Sequence, residues 1–266
     1  MEITSFDIEG KFAHFRKFHG NNTAMSYTIP PRTTIIGMLA ALMGESKDSY
    51  YEKYRAENLR IGIRVLSELK KSFHRLNLLM IKGSQDFRGG KGRIQTPFEV
   101  VTGNDLKKES VKYRIYLAHG EDAELFYEIK KKLQNNERQF NISLGIAGFS
   151  AFISNVRNLS ATEISTQDKW VDLHSAGNSD QIDEIDFPDN PEFKFNHIEE
   201  ELLPADFIGG DKGREVYRMN RVLFATQDFP MHVNLNGIYY QVKSGNEVEN
   251  IQFLEYAGVF AQQADR

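Results

Sequence analysis

Between Ile3 and Val156 the apolar periodicity changes in an order that few folds accommodate: strand, helix, strand, hairpin, strand, helix, strand. The first run, Ile3 to Lys17, sets Phe6, Ile8, Gly10, Phe12 and His14 on one side and Asp7, Glu9 and Lys11 on the other. That is the pattern of a long strand with one buried face. Turn residues Phe18 to Thr23 follow, and Pro30-Pro31 hold the chain extended up to Thr33 and Thr34, either of which can cap a helix. Ile35, Ile36, Met38, Leu39, Leu42 and Met43 supply that helix, while Gly37, Ala40 and Ala41 leave it lean enough to lie close on a sheet. Ser46 to Leu59 reads as a second helix and Arg60 to Val65 as a strand.

Two strand-like runs, Phe73 to Ile81 and Arg93 to Val101, flank the basic, glycine-laden segment Lys82 to Gly92, the layout of an extended hairpin with a mobile tip. Val111 to Leu117 is the next strand. Asp122 to Asn135 is an amphipathic helix whose stripe is Leu125, Phe126, Ile129 and Leu133, and Ala151 to Val156 alternates again. The predicted class is α+β. The order is the split βαβ arrangement of a ferredoxin-like domain with insertions, a fold shared with the RNA-recognition motif. The expected domains are 1–160, with the hairpin inserted at about 70–101, and 161–266, an acidic segment followed by a small β-rich extension. Within the second, Asn178 to Pro191 is the best linker, and short strands are expected at Val216 to Met219, Val222 to Phe224 and Ile238 to Val242.

Composition narrows the chemistry. The 266 residues are 40% hydrophobic and 26% charged, ordinary for a globular protein, and contain no cysteine. Disulfides, thiolate metal sites and cysteine nucleophiles are thereby excluded. The start, Met1 to Asp7, carries acid where a secretory signal would be basic and then apolar, and no stretch has the apolar length of a membrane span. A cytoplasmic protein with no membrane partner is expected. The net charge of -4 conceals an asymmetry. Residues 60–119 hold 13 Lys/Arg against 5 Asp/Glu, and residues 161–215 hold 4 against 15. Such a chain suits a polyanion on one surface, with the acidic half either solvated or facing a basic partner.

Two constellations carry the binding chemistry. In Phe87 to Arg93 glycines free the backbone to approach an anion, and Lys82, Arg88, Lys91 and Arg93 can take phosphates; the alternative is a solubilising hairpin tip. The segment does not fit the Gly-x-x-x-x-Gly-Lys-Ser/Thr phosphate loop. Gly209 to Arg214 is a weaker echo, read as a plain turn. Phe15 to His19 interleaves basic and aromatic residues, with Tyr27 and Arg32 downstream, the combination that stacks unpaired bases and pairs phosphates. Its alternative is core Phe15 and Phe18 with Arg16 and Lys17 at the edge. The seven histidines show no metal-ligand spacing, no metal or other cofactor is implied, and Gly148 to Phe152 lacks the second glycine of a serine-nucleophile elbow. A metal-independent ribonuclease could draw on His19, Tyr27, His74 and Lys82.

Phe12 to Lys17, followed by Ser26 to Gly44, resembles the opening of the CRISPR-associated Cas family five, a RAMP-type subunit of Cascade interference complexes. Gln95 to Val100, Tyr113 to Leu117, Leu144-Gly145 and Phe152-Ile153 sit where that family keeps its hairpin return and later strands. The resemblance implies a ferredoxin-like RAMP core with a protruding thumb hairpin that caps the 5′ handle of the crRNA. It implies as partners the Cas family seven backbone subunit and the large subunit of Cascade, with target DNA met only through the complex. The acidic region suggests a type I-B-like member, and no catalytic residue is expected. In the I-C subtype the family instead cleaves precursor RNA with a Tyr/Lys/His set; here His119 follows Ala118 where a Lys-His pair would stand. The expected RNA contacts are Arg16, Lys17, His19, Tyr27 and Arg32 at the handle, main-chain amides near Thr33 and Thr34 at the helix start, and Lys82, Arg88, Lys91 and Arg93 on the thumb.

Overall fold

The computed structural model describes all residues except 19–22, 188–196, 211–212, 246, 255–257 and 261–266. The chain opens with β1 (Glu2–Gly10), β2 (Phe15–Arg16), β3 (Ser26–Tyr27), α1 (Arg32–Met43) and β4 (Leu59–Val65). The hairpin β5 (Leu69–Leu79) and β6 (Arg93–Gly103) follows, then β7 (Val111–His119), α2 (Ala123–Gln134) and β8 (Phe152–Leu173). The remainder is β9 (Gly177–Asn178), β10 (Ile182–Asp186), β11 (Ile198–Gly210), β12 (Gly213–Ala225), β13 (Met231–Ser244), β14 (Glu247–Ile251) and β15 (Gly258–Phe260). The result is mostly β with two α-helices among the described residues.

Seven strands form one sheet in the order β10-β13-β14-β8-β1-β7-β4. Its β8-β1-β7-β4 part is antiparallel throughout. Phe6 and Ile8 of β1, Ile61 and Ile63 of β4 and Tyr113, Ile115 and Leu117 of β7 form one core with Ile35, Leu39 and Leu42 of α1 and with Leu125, Phe126, Ile129 and Leu133 of α2. Helix α2 is the expected one: Asp122 caps it by accepting from the Leu125 amide at 3.0 Å, and its apolar stripe is buried. Helix α1 is apolar almost all round because it is covered twice, by the sheet and by β11.

Several expectations change. The first strand stops at Gly10, where an added Cβ would meet the Ser150 carbonyl at 2.7 Å, and the chain resumes as the separate ribbon β2–β3. Pro31, not Thr33 or Thr34, stands at the cap position of α1. Its ring already holds φ at -55°, so the two threonines fall inside the first turn. Residues 46–58 form turns and irregular chain rather than a helix, with Asp48 at φ 63°, and Leu59 already belongs to β4. There the Tyr50 ring meets those of Tyr51 and Tyr54 at steep angles, and Tyr51 packs edge-on against Phe207 of β11 at 5.8 Å, a tertiary contact that overrides the local period. Strand β8 runs without a break through position 160, pairing with β1 up to Ser160 and with β13 from there to Leu173. The carboxyl-terminal part is therefore not a small extension: it widens the main sheet and adds a second one, β11-β12-β15 with β9. Of the expected linker, residues 178–187 are described and contain β10, while 188–191 lie outside the described residues.

Candidate nucleic-acid interface

A cleft of about 720 Å³ opens where α1, the β2 ribbon, the loop after α2 and the second sheet meet. Helix α1 supplies Thr33 and Thr34, the loop Asn141 and Ser143, the ribbon Arg16 and Phe18, and the second sheet Phe207 and Arg214. Among the described residues no aspartate or glutamate lines it. Arg16 and Arg214 are both exposed and neither has a carboxylate partner among the described residues. The Arg214 guanidinium lies 5.0 Å over the Phe207 ring, so it presents a cation backed by an aromatic surface. Two unpaired arginines, hydroxyl and amide groups and aromatic rings in an acid-free cleft are the chemistry of a phosphate-bearing, base-bearing ligand.

Local sequence explains the walls. Gly145 has φ +94°, and a Cβ there would drive into the His14 carbonyl, so only glycine lets the loop pass against the ribbon. The His14 amide in turn donates to the Leu144 carbonyl at 3.0 Å. The His14 ring is buried, stacked on Phe98 at 4.1 Å, with Nδ1 2.7 Å from the Glu99 carbonyl. Burial holds its pKa below the usual imidazole value. His14 thus ties the cleft to the root of the hairpin. Bridges Ala13↔Val101 and Ala24↔Phe98, and the Ser26 amide donating to the Glu99 carboxylate at 2.7 Å, complete that anchor.

The expected contact residues separate into three groups. Arg16, Thr33 and Thr34 are brought together in the cleft. Arg32, Tyr27 and Lys17 are corrected to structural roles. Arg32 is 1% exposed, ion-paired with Asp206, and donates to the Tyr54 and Leu59 carbonyls at 2.9 and 2.7 Å. No nucleotide can reach a guanidinium so enclosed. Tyr27 is equally buried, and burial, followed by the Glu201 carboxylate, pushes its phenol up to about 12. Lys17 is 2.8 Å from Glu201 and 5.0 Å over the Tyr27 ring. His19 lies outside the described residues. The third group is on the hairpin tip, where Lys82, Arg88, Lys91 and Arg93 are exposed. There Asp86 accepts from the Lys82 and Gly83 amides at 2.7 and 2.9 Å and pairs with Lys91 at 2.9 Å. The Lys91 ammonium and then those amides hold the Asp86 carboxyl below its ordinary value. Arg88 and Arg93 have no carboxylate partner among the described residues.

Sequence reading missed Arg214, Asn141 and Ser143. The signal for Arg214 was the second glycine-rich basic stretch; Gly209-Gly210 end β11 and Gly213-Arg214 begin β12, with Asp211 and Lys212 outside the described residues. The acidic run Glu199 to Glu201 also has a use. Glu199 and Glu201 are 3.4 and 3.6 Å from Lys71, Glu201 accepts from the Thr28 amide at 3.0 Å, and Glu200 is 3.3 Å from Arg221. These carboxylates face the chain's own cations.

Residues 5–122 match the family model described as CRISPR-associated protein (Cas_Cas5). Over those residues this chain is similar to Cas family five. The matched segment spans the ribbon, α1 and the hairpin, and stops before α2. Among solved structures, a CRISPR protein from Archaeoglobus fulgidus aligns with TM-score 0.51 at 15% identity, over 95% of this chain and 99% of that one. A chain of a CRISPR RNA-guided surveillance complex aligns with TM-score 0.51 at 12% identity, over 87% and 91%. These two likenesses show a shared fold that includes the carboxyl-terminal sheets. No curated protein matches in sequence. No helix among the described residues is long and apolar enough to cross a membrane.

Proposed function

We propose that this chain is a Cas family five protein, a non-catalytic, crRNA-binding subunit of a type I Cascade complex that caps the 5′ handle of the crRNA. The observation that carries the reading is a cleft whose described lining has no carboxylate, with Arg16 and Arg214 lacking carboxylate partners among the described residues, set beside a hairpin whose tip presents Arg88 and Arg93. A single strand passing from tip to cleft would place phosphates on these four arginines and bases against Phe18 and Phe207. The strand order β8-β1-β7-β4 around α1 and α2 supports a ferredoxin-like RAMP core, with β5–β6 as its thumb. The surveillance-complex chain of similar fold supports placement in such an assembly, with the family seven backbone subunit and the large subunit as neighbours and target DNA reached through base pairing. A type I-B-like subtype and a cytoplasmic site belong to the same reading.

Tyr27, His74 and Lys82, the groups from which a metal-independent ribonuclease could be drawn, are spread out. Tyr27 is enclosed at the ribbon, His74 is on β5 with its Nε2 3.0 Å from the Ser72 hydroxyl, and Lys82 is at the tip. The test is incubation of the purified chain with labelled CRISPR repeat RNA in EDTA, followed on native and denaturing gels. A mobility shift without shortening is expected. Specific shortening would replace this reading with the processing enzyme of I-C-like members.

A further inference from the structure

The outer face of β8, β13 and β10 is used by nothing described above. Their register sets six side chains in two rows: Asp186, His232 and Asp172 in one, Glu184, Asn234 and Trp170 in the other. Directly opposed residues of an antiparallel pair share a face, as do alternate residues of a strand. The opposite face of the same strands is core, with Val171, Val233 and Ile185. Trp170, the only tryptophan of the chain, is 40% exposed and stacks on His232 at 5.1 Å and 13°. His232 is steadied by Asp172, with Nδ1 2.7 Å from the carboxylate. Glu184 and Asp186 have no cation among the described residues.

A second observation points to a hydrogen-bond donor. Asn234 is 7% exposed and gives its Nδ2 to Asp168 at 2.7 Å, while its Oδ1 has no donor among the described residues. A buried acceptor left in this state is a standing cost that a docked donor would remove. The face is therefore an aromatic surface among acceptors. Carboxylates repel a nucleic acid, and an apolar partner would have to strip their water without replacing it. A guanidinium satisfies every group: planar against an indole, bidentate to a carboxylate, and rich in N–H donors.

We infer that this face docks a protein partner through an arginine-bearing segment, on the side chains of Trp170, Glu184, Asp186 and Asn234. The surface is separate from the cleft and the hairpin and does not depend on their binding RNA. Because Trp170 is the only tryptophan, its emission reports this face directly in the full-length chain. Titration with a synthetic peptide of alternating arginine and serine should give a saturable emission change that weakens with salt. The exposed double substitution E184Q/D186N should weaken it about tenfold while leaving RNA affinity unchanged. A lysine-for-arginine peptide should bind more weakly, and an acidic peptide of equal length should be silent. Absence of a saturable change, or an equal response from E184Q/D186N, overturns the inference. So does saturation by single-stranded RNA, or an emission change that follows protein concentration without peptide, which would make the face an RNA or self-association surface.

Discussion

Arg16 and Arg32 belong to one short basic-aromatic stretch and have opposite fates. Arg32 meets Asp206, 174 residues away, inside the molecule, whereas Arg16 meets no carboxylate among the described residues and remains at the cleft. A counterion so distant leaves no local trace, which explains why Arg32 reads as a binding residue in the sequence. Arg32→Ala should destabilise the protein by about 3 kcal/mol, because it leaves buried Asp206 to Arg218 alone and removes the donor from the Tyr54 and Leu59 carbonyls, and urea denaturation will measure it. Arg16→Ala and Arg214→Ala should leave that stability unchanged and each reduce the slope of log affinity on log salt by about 0.7, one single-strand phosphate contact apiece. His14 adds a pH effect. Its folded pKa is depressed by burial, so below the ordinary 6.5 the unfolded chain binds the extra proton first. Stability contributed by the neutral ring is intact above that value and lost as pH falls toward the folded pKa; in His14→Gln, denaturation midpoints between pH 7 and pH 5 should vary less.

Elements whose signal is local were legible. Helix α2 shows its stripe and its cap within fourteen residues, and the hairpin shows two alternating runs around a glycine-rich tip. Elements built by distant contacts were not. The 46–59 segment carries a helical pattern that the contact of Tyr51 with Phe207 of the second sheet overrules. Strand β8 looked like six residues because most of its length is exposed on one or both faces, and only its pairing with β13 shows its reach. The hairpin is anchored at its root and self-contained at its tip, where Asp86 gathers the Lys82 and Gly83 amides and Lys91. Replacing Lys82 to Gly92 by Asn-Gly should therefore keep the thermal midpoint within a few degrees, read by circular dichroism, while RNA affinity falls. Gly145→Ala should do the converse at the cleft, lowering stability through clash with the His14 carbonyl.

For the whole molecule, part of the acid of the second half is spent on cations of the first. Glu199 and Glu201 hold Lys17 and Lys71, and Asp206 holds Arg32 and Arg218. These few pairs fasten the second sheet over α1 and the ribbon. Arg16 and Arg214 in the cleft and Arg88 and Arg93 on the tip, which have no carboxylate partner among the described residues, form the surface assigned to RNA. A chain ending at residue 160 would lose the partners of Lys17, Lys71 and Arg32 and the cover of α1, and should show no cooperative unfolding transition. The most direct test of the account is an equilibrium titration of 5′-handle RNA in EDTA at several salt concentrations, comparing wild type with R16A/R214A/R88A/R93A. The account predicts uncleaved RNA, a steep negative salt slope for the wild type, and a slope lower by about 2.8 in the quadruple variant. Equal slopes for the two proteins, or binding indifferent to salt, would contradict it.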